Sequence, residues 1–190
     1  MADGQVPYRD FAFTQGPVMA YGYALASPLV QRWGVAGGRL FTAVLGLCAA
    51  ALAAWLAWRL APPGTRRGAA LLAFMFIALN VYQSHFTTVV KTYALGSLLL
   101  AGGFLLLTWV GGRRGGLAAF LSAVLLVLAT GTRVSAGAAL PVTFFCLIWQ
   151  RRRAASFAWL WFGAGAGLTA LALFGPLFLA APEGFLFGLV

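Results

Sequence analysis

The sequence predicts an all-α fold, a polytopic transmembrane helical bundle of about six spans with one external interfacial helix before them. Of the 190 residues, 62% are hydrophobic and only 8% are charged, whereas a soluble domain carries about 25% charged residues. The apolar residues form long continuous runs, which argues against a barrel of strands with alternating polarity. Clusters of Gly, Pro and Arg separate the runs, and such clusters mark the loops between helices.

The six apolar runs are the predicted transmembrane spans. A helix needs roughly 20 residues to cross the hydrocarbon core of a bilayer. The second and fifth runs are short for that length, so we expect them to tilt or to extend into their loops. The predicted spans are 38–60, 68–83, 93–110, 116–131, 136–150 and 156–179. The chain is thereby divided into an external segment, 1–37, and a transmembrane helical domain, 38–190.

The loops between the spans alternate in charge. One set carries eight cations and no acid, and the other carries five cations together with all three acids of the chain. Cytoplasmic loops hold the excess of Lys and Arg, so the first set is predicted to be cytoplasmic and to contact anionic lipids. This topology explains the net charge of +10 better than binding to nucleic acid does. The cytoplasmic cations are Arg59, Arg66, Arg67, Arg113, Arg114 and Arg151 to Arg153, and the external cations are Arg9, Arg32, Arg39, Lys91 and Arg133.

The segment 1–37 is too polar to span a membrane and too aromatic for a free tail. Its aromatic rings suit the headgroup interface, and Pro17 is suited to the first turn of a helix. We therefore predict an external interfacial helix over 17–32. Residues 1–10 contain no apolar signal segment, so an external N-terminus implies a further helix upstream, and we expect this chain to be part of a longer protein.

The two cysteines, Cys48 and Cys146, both fall inside apolar runs. We predict that they are small buried side chains rather than a disulfide. With one histidine in the chain and no CxxC pair, no spacing of metal ligands is present.

Asp10 lies in the stretch PYRDF, next to Arg9 and between two aromatic residues. From these neighbours alone, two interpretations stay open. Asp10 is either a solvated loop residue, which caps a helix or pairs with Arg9, or an acid with a chemical function at the membrane surface.

Three parts of the sequence resemble the GT-C membrane glycosyltransferases. They are the run from Gly4 to Pro17, the triplet 38–40 (Gly-Arg-Leu), and the triplet 131–133 (Gly-Thr-Arg) before an apolar helix with Pro141. The likeness is greatest to the branch of protein O-mannosyltransferases and lipid A aminoarabinose transferases, and its specific motif covers only residues 4–17. By this resemblance the chain is the N-terminal third to half of a longer membrane domain whose first helix precedes the chain.

The resemblance implies a multi-pass enzyme of the bacterial inner membrane. Such enzymes move a sugar from a polyprenyl-phosphate donor to a lipid, glycan or protein acceptor on the external side. A carboxylate in the first external loop accepts the proton of the acceptor, which is general base catalysis. The resemblance assigns that role to Asp10.

Cations in the external loops suit the phosphate of such a donor. Lys91 is the only lysine and would hold a phosphate as a point charge, while the guanidinium fork of Arg133 suits two phosphate oxygens. For both residues the other interpretation is a cation that anchors a helix end at the membrane surface. Further candidates for substrate binding are Tyr8, Arg9, Gln15 and His85.

The second external loop, 84–92, departs from the family, whose members often carry a second acid there. Without a second carboxylate a bound divalent cation has no support in the sequence, since such ions need several oxygen ligands, and we predict no cofactor. Two other functions stay open: a transporter or lipid flippase, and a non-catalytic membrane subunit. No acid lies inside any predicted span, which argues against a transporter coupled to protons or sodium.

Overall fold

The fold of the chain is all-α, as predicted. The computed structural model describes residues 16–80, 85, 89–154 and 157–189, and no strand occurs within these ranges. The α-helices are α1 (Pro17–Ala24), α2 (Ser27–Trp33), α3 (Val35–Leu60), α4 (Arg66–Ala78), α5 (Thr92–Leu107), α6 (Gly115–Thr132), α7 (Ala139–Ala154), α8 (Ala158–Ala180) and α9 (Pro182–Leu189). A short 3-10 helix, Val134–Ala138, joins α6 to α7.

Three of these helices, α3, α6 and α8, are long and apolar enough to cross a membrane. A helix occupies each of the six places where the sequence predicts a span, but α4 has 13 residues and α5 has 16. At 1.5 Å per residue, 13 residues cover only ~20 Å of a hydrocarbon core that is roughly 30 Å thick. Large apolar side chains cover much of the outer surface of α3, α4 and α8, as expected of helices that face lipid.

The N-terminal segment forms two short helices rather than the single interfacial helix predicted over 17–32. α1 begins at Pro17 as expected, with the proline ring in the first turn, but it ends at Ala24 and α2 starts at Ser27. Pro28 explains the break, because a proline lacks the amide hydrogen for a helical bond to Ala24, and its ring collides with that carbonyl.

The core of the bundle lies along α6, which packs between α5 and α8. Four of its residues at helical spacing, Ala119, Ser122, Ala123 and Leu126, are completely buried. Residues at i, i+3, i+4 and i+7 lie on one face of a helix, so this face is the inner stripe of α6. Phe162 of α8 is 1% exposed and belongs to the same apolar cluster. On the other side of α5 lies α3, and α4 packs on α3.

Small residues allow the backbones of these helices to approach closely. The Ser122 hydroxyl donates a hydrogen bond of 2.9 Å to the carbonyl oxygen of Gly103 in α5. On the opposite side, Gly165 of α8 lies so close to α6 that a Cβ atom there would be 2.7 Å from the Phe120 carbonyl oxygen. Close approach through glycine and serine is the usual basis of helix association in membranes.

Two contacts show that α6 and α8 run in the same direction. Gly131, near the end of α6, lies against Leu173 in the second half of α8. Gly116, in the first turn of α6, lies against Trp161 in the first turn of α8.

The helices α3 and α5 run in the same direction. Gly38 in the first turn of α3 faces Val90, just before α5. At the other terminus, the Arg59 guanidinium donates to the side chain and carbonyl oxygens of Thr108, just after α5. These contacts define two ends of the bundle: the Arg133 end, where α3 and α5 begin and α6 ends, and the Arg113 end, where α3 and α5 end and α6 begins.

One detail of the prediction from sequence is wrong. Cys48 and Cys146 are unpaired, but both are exposed rather than buried, because the apolar runs that carry them present an apolar outer surface. Glu183, one of the three acids that the sequence places in external loops, lies in the first turn of the short helix α9. Its negative charge is favourable there, near the positive end of the helix dipole.

Candidate functional site

The first turn of α1 is fixed to the last turn of α6 at the Arg133 end. Gly16, which precedes α1, lies directly against the carbonyl oxygen of Gly131, and a Cβ atom on Gly16 would overlap that oxygen. Val18 of α1 in turn contacts Gly131, and Pro17 is completely buried. Gly16, the residue that follows segment 1–15, is therefore anchored against Gly131, two residues before Arg133.

A second contact joins α1 to the start of α5. The Tyr23 hydroxyl donates a hydrogen bond of 2.6 Å to the carbonyl oxygen of Lys91. The same ring packs edge-on against Phe41 of α3, with the ring centres 5.7 Å apart. Burial raises the pKa of Tyr23 to about 12, so the phenol stays protonated and keeps its role as a donor. Tyr23 thereby fixes the backbone that carries Lys91.

The Arg133 side chain lies over the aromatic face of Tyr93. Its guanidinium carbon is 4.7 Å from the ring centre, which is a cation–π contact. The backbone of Arg133 is extended and ends α6, and its amide donates to the Ala129 carbonyl oxygen over 2.9 Å. A ring face attracts the cation without cancelling its charge, so this exposed arginine is both positioned and fully positive.

Lys91 and His85 lie at the same end of the bundle. Lys91 is exposed and precedes α5 with an extended backbone, two residues before the ring that holds Arg133. Its amide donates to the Val89 carbonyl oxygen over 2.7 Å, and the Val89 amide donates to the His85 carbonyl oxygen over 3.3 Å. The structure therefore brings the backbone of three predicted site residues, His85, Lys91 and Arg133, to one end.

The remaining candidates from the sequence lie outside the described residues. These are the predicted base, Asp10, and the predicted substrate-binding residues Tyr8, Arg9 and Gln15. Among the residues that the structure does describe, no three His, Cys, Asp or Glu side chains come together as metal ligands do.

Sequence reasoning missed the two tyrosines that organise this end. Tyr93 holds Arg133, which lies 40 residues further along the chain, so no local pattern indicates this contact. Tyr23 likewise gave no local signal, because its partner Lys91 is 68 residues away in the chain. Lys91 and Arg133 are two exposed cations on a fixed backbone at the same end of the bundle. This arrangement suits a phosphate group.

Replacing Tyr23 with phenylalanine tests the anchor. We expect Tyr23→Phe to lower the free energy of unfolding by about 0.5–1.5 kcal/mol, since one hydrogen bond is lost while the ring contact with Phe41 stays. Thermal unfolding of the purified chain in detergent measures the change. Tyr21→Phe is the matched control, because Tyr21 lies on the same helix and is 49% exposed. Equal effects of the two variants would contradict the anchoring role.

The same residue predicts a loss of stability in alkali. The pKa of Tyr23 is about 12 in the folded chain, against 10.0 for a free phenol. Between these values the unfolded chain releases the proton and the folded chain keeps it, so stability falls as pH rises through this range. Tyr23→Phe removes this contribution. We therefore expect the difference in the free energy of unfolding between wild type and Tyr23→Phe to shrink as pH rises from about 9 to about 12, which unfolding curves of both proteins at each pH would measure.

Comparison with protein-family models, with curated proteins and with solved structures found no match for this chain.

Proposed function

We propose that the chain is part of a membrane glycosyltransferase, which moves a sugar from a polyprenyl-phosphate donor to an acceptor outside the bacterial plasma membrane. The observation that supports the proposal is that two exposed cations, Lys91 and Arg133, lie at the same end of an apolar bundle, beside the anchored start of α1. The donor has a phosphate headgroup on a long apolar chain. The Arg133 end offers cations for the phosphate and, beside them, a helix surface for the apolar chain.

The chemistry of the transfer explains why cations are needed. The acceptor hydroxyl loses its proton to a carboxylate and attacks the anomeric carbon of the sugar. The bond from that carbon to the phosphate oxygen breaks, and polyprenyl phosphate leaves with the electron pair. Cations that are already positioned stabilise the charge that develops on the leaving phosphate, and Lys91 and Arg133 take this role in the proposal.

Asp10 takes the role of the carboxylate. Gly16 follows it by six residues, and an extended chain of that length spans at most ~20 Å. Because Gly16 lies against Gly131, that distance sets an upper limit on how far Asp10 lies from the end of α6. Tyr8, Arg9, Gln15 and His85 complete the proposed substrate site.

The proposal includes an orientation in the membrane. Arg59, Arg66, Arg67, Arg113 and Arg114 lie at the Arg113 end or in the loops beside it. By the positive-inside rule this end faces the cytoplasm, which leaves the Arg133 end outside. The three shorter helices, α4, α5 and α7, cross the membrane in this topology, so that about six spans are present.

Arg133 is the residue with which to test phosphate binding. We expect Arg133→Gln to raise the KM for the lipid donor by about tenfold, because a charge-assisted hydrogen bond contributes roughly 1.5–3 kcal/mol. The assay uses membranes from cells that express the full-length gene, with radiolabelled polyprenyl-phosphate mannose and polyprenyl-phosphate aminoarabinose as donors.

Arg32→Gln is the matched control for this test. Arg32 also lies over an aromatic ring, that of Trp33, at a distance of 5.5 Å, and it lies on α2 rather than beside Lys91. Equal KM values for both variants would remove Arg133 from donor binding. Wild-type membranes that transfer neither sugar would contradict the proposal for these donors and favour a transporter or a non-catalytic subunit.

A further inference from the structure

A cleft of 290 Å³ opens at the Arg113 end, between the last turn of α5 and the first turns of α6. Its wall is made largely of leucine side chains, Leu106, Leu117 and Leu121. Leu117 is 52% exposed and Leu121 is 41% exposed, so this wall is open to the surroundings. An apolar wall on the outside of a membrane helix suits a hydrocarbon chain better than it suits water.

Two arginines, Arg113 and Arg114, line the same cleft and are exposed. They directly precede α6, whose first residue is Gly115. The N-terminus of a helix carries a partial positive charge that adds to the attraction for an anion. Glu183 is the only acid among the described residues and lies beyond the last turn of α8, so the described part of the chain supplies no carboxylate to neutralise the arginines.

Tryptophan side chains mark the depth of the cleft. Trp109 lines it, and its ring packs edge-on against Trp55 of α3, with centres 5.7 Å apart. The Arg59 guanidinium lies 4.8 Å from the centre of the Trp109 ring. Tryptophan is enriched where hydrocarbon meets headgroups. The cleft therefore lies at the level where a phospholipid passes from phosphate to acyl chain.

We propose that this cleft binds one anionic phospholipid, with its phosphate at Arg113 and Arg114 and an acyl chain along Leu117 and Leu121. The leucine wall selects a lipid over a soluble anion, because a soluble phosphate would leave the wall uncovered. The pair of arginines selects an anionic headgroup over a zwitterionic one, in which a choline or amine offsets the phosphate charge. The ligand class is thus an anionic diacyl lipid such as phosphatidylglycerol.

The lipid site is separate from the proposed site of sugar transfer. α6 has 18 residues and is therefore ~27 Å long, with Arg114 before its first turn and Arg133 after its last. A lipid at the Arg113 end touches none of the residues assigned to the donor. The two proposals therefore stand or fall independently.

Native mass spectrometry of the purified chain, titrated with phosphatidylglycerol or phosphatidylcholine, tests the site. We expect the first phosphatidylglycerol to bind at least about tenfold more tightly than phosphatidylcholine, since two cations lining one cleft attract an anionic headgroup. The double variant R113Q/R114Q should abolish that preference. Leu121→Trp fills the cleft and keeps both charges. This variant should weaken binding of the first phosphatidylglycerol about as much as R113Q/R114Q does.

The matched control is R66Q/R67Q, which removes the same charge at the same end outside the cleft. This variant should keep the preference for phosphatidylglycerol. Equal losses in the two double variants would show general attraction to surface charge and would overturn the proposal, as would an unchanged Leu121→Trp. Displacement of the lipid by equimolar glycerol phosphate would show a site for a soluble anion instead.

Discussion

Asp10→Asn is expected to lower the rate of sugar transfer by about 10²–10⁴, the usual contribution of a general base. Asparagine keeps the size of the side chain and much of its hydrogen bonding, but it cannot accept the proton of the acceptor. Transfer is measured in membranes from cells that express the full-length gene, after the amount of wild-type and variant protein has been matched. The expected loss is in kcat, because the proton moves only as the new bond forms.

Asp3→Asn is the control for this experiment, since it makes the same chemical change seven residues earlier in the same segment. We expect it to leave transfer within about twofold of wild type, the range of an ordinary surface substitution. An Asp10→Asn protein that retains at least half of the activity would exclude Asp10 as the base. Equal losses in both variants would indicate a general effect of negative charge in the segment.

Composition and hydropathy were enough to predict where the helices form. The long apolar runs predicted helices at six places, and the boundaries of α3 and α8 differ from the predicted spans by at most three residues. The length of each helix, and therefore whether it can cross a membrane, was less predictable. The second run was predicted to extend to residue 83, but α4 ends at Ala78, because the start and end of a helix depend on capping and tertiary contacts as well as on hydropathy.

The candidate site was predictable in its charges but not in its geometry. Lys91 and Arg133 are visible in the sequence as isolated cations in the loops of an apolar chain. Their placement depends on Tyr23 and Tyr93, and neither contact follows from a local pattern, since each joins residues that are far apart in the chain. The break between α1 and α2 was predictable, because Pro28 is visible in the sequence and breaks a helix at a known position.

Gly165→Leu is expected to have the largest effect on folding. A Cβ atom at this position would lie 2.7 Å from the Phe120 carbonyl oxygen and 3.2 Å from the Ala123 Cβ atom. The nearer atom belongs to the backbone of α6 and cannot rotate away, so α8 must move off the central helix. Overpacking of a core costs about 1–3 kcal/mol when side chains can adjust, and we expect more than about 3 kcal/mol here because they cannot.

Gly167→Leu provides the matched control, two residues further along α8. A Cβ atom there meets nothing within 4 Å, so the same substitution adds a side chain to open space. Leucine is also the better helix former by about 0.8–1 kcal/mol, and this gain applies to both variants. Unfolding of the purified proteins in detergent should therefore show Gly167→Leu at or above wild-type stability and Gly165→Leu far below it. Similar stabilities for the two variants would mean that α8 does not pack on α6 through Gly165.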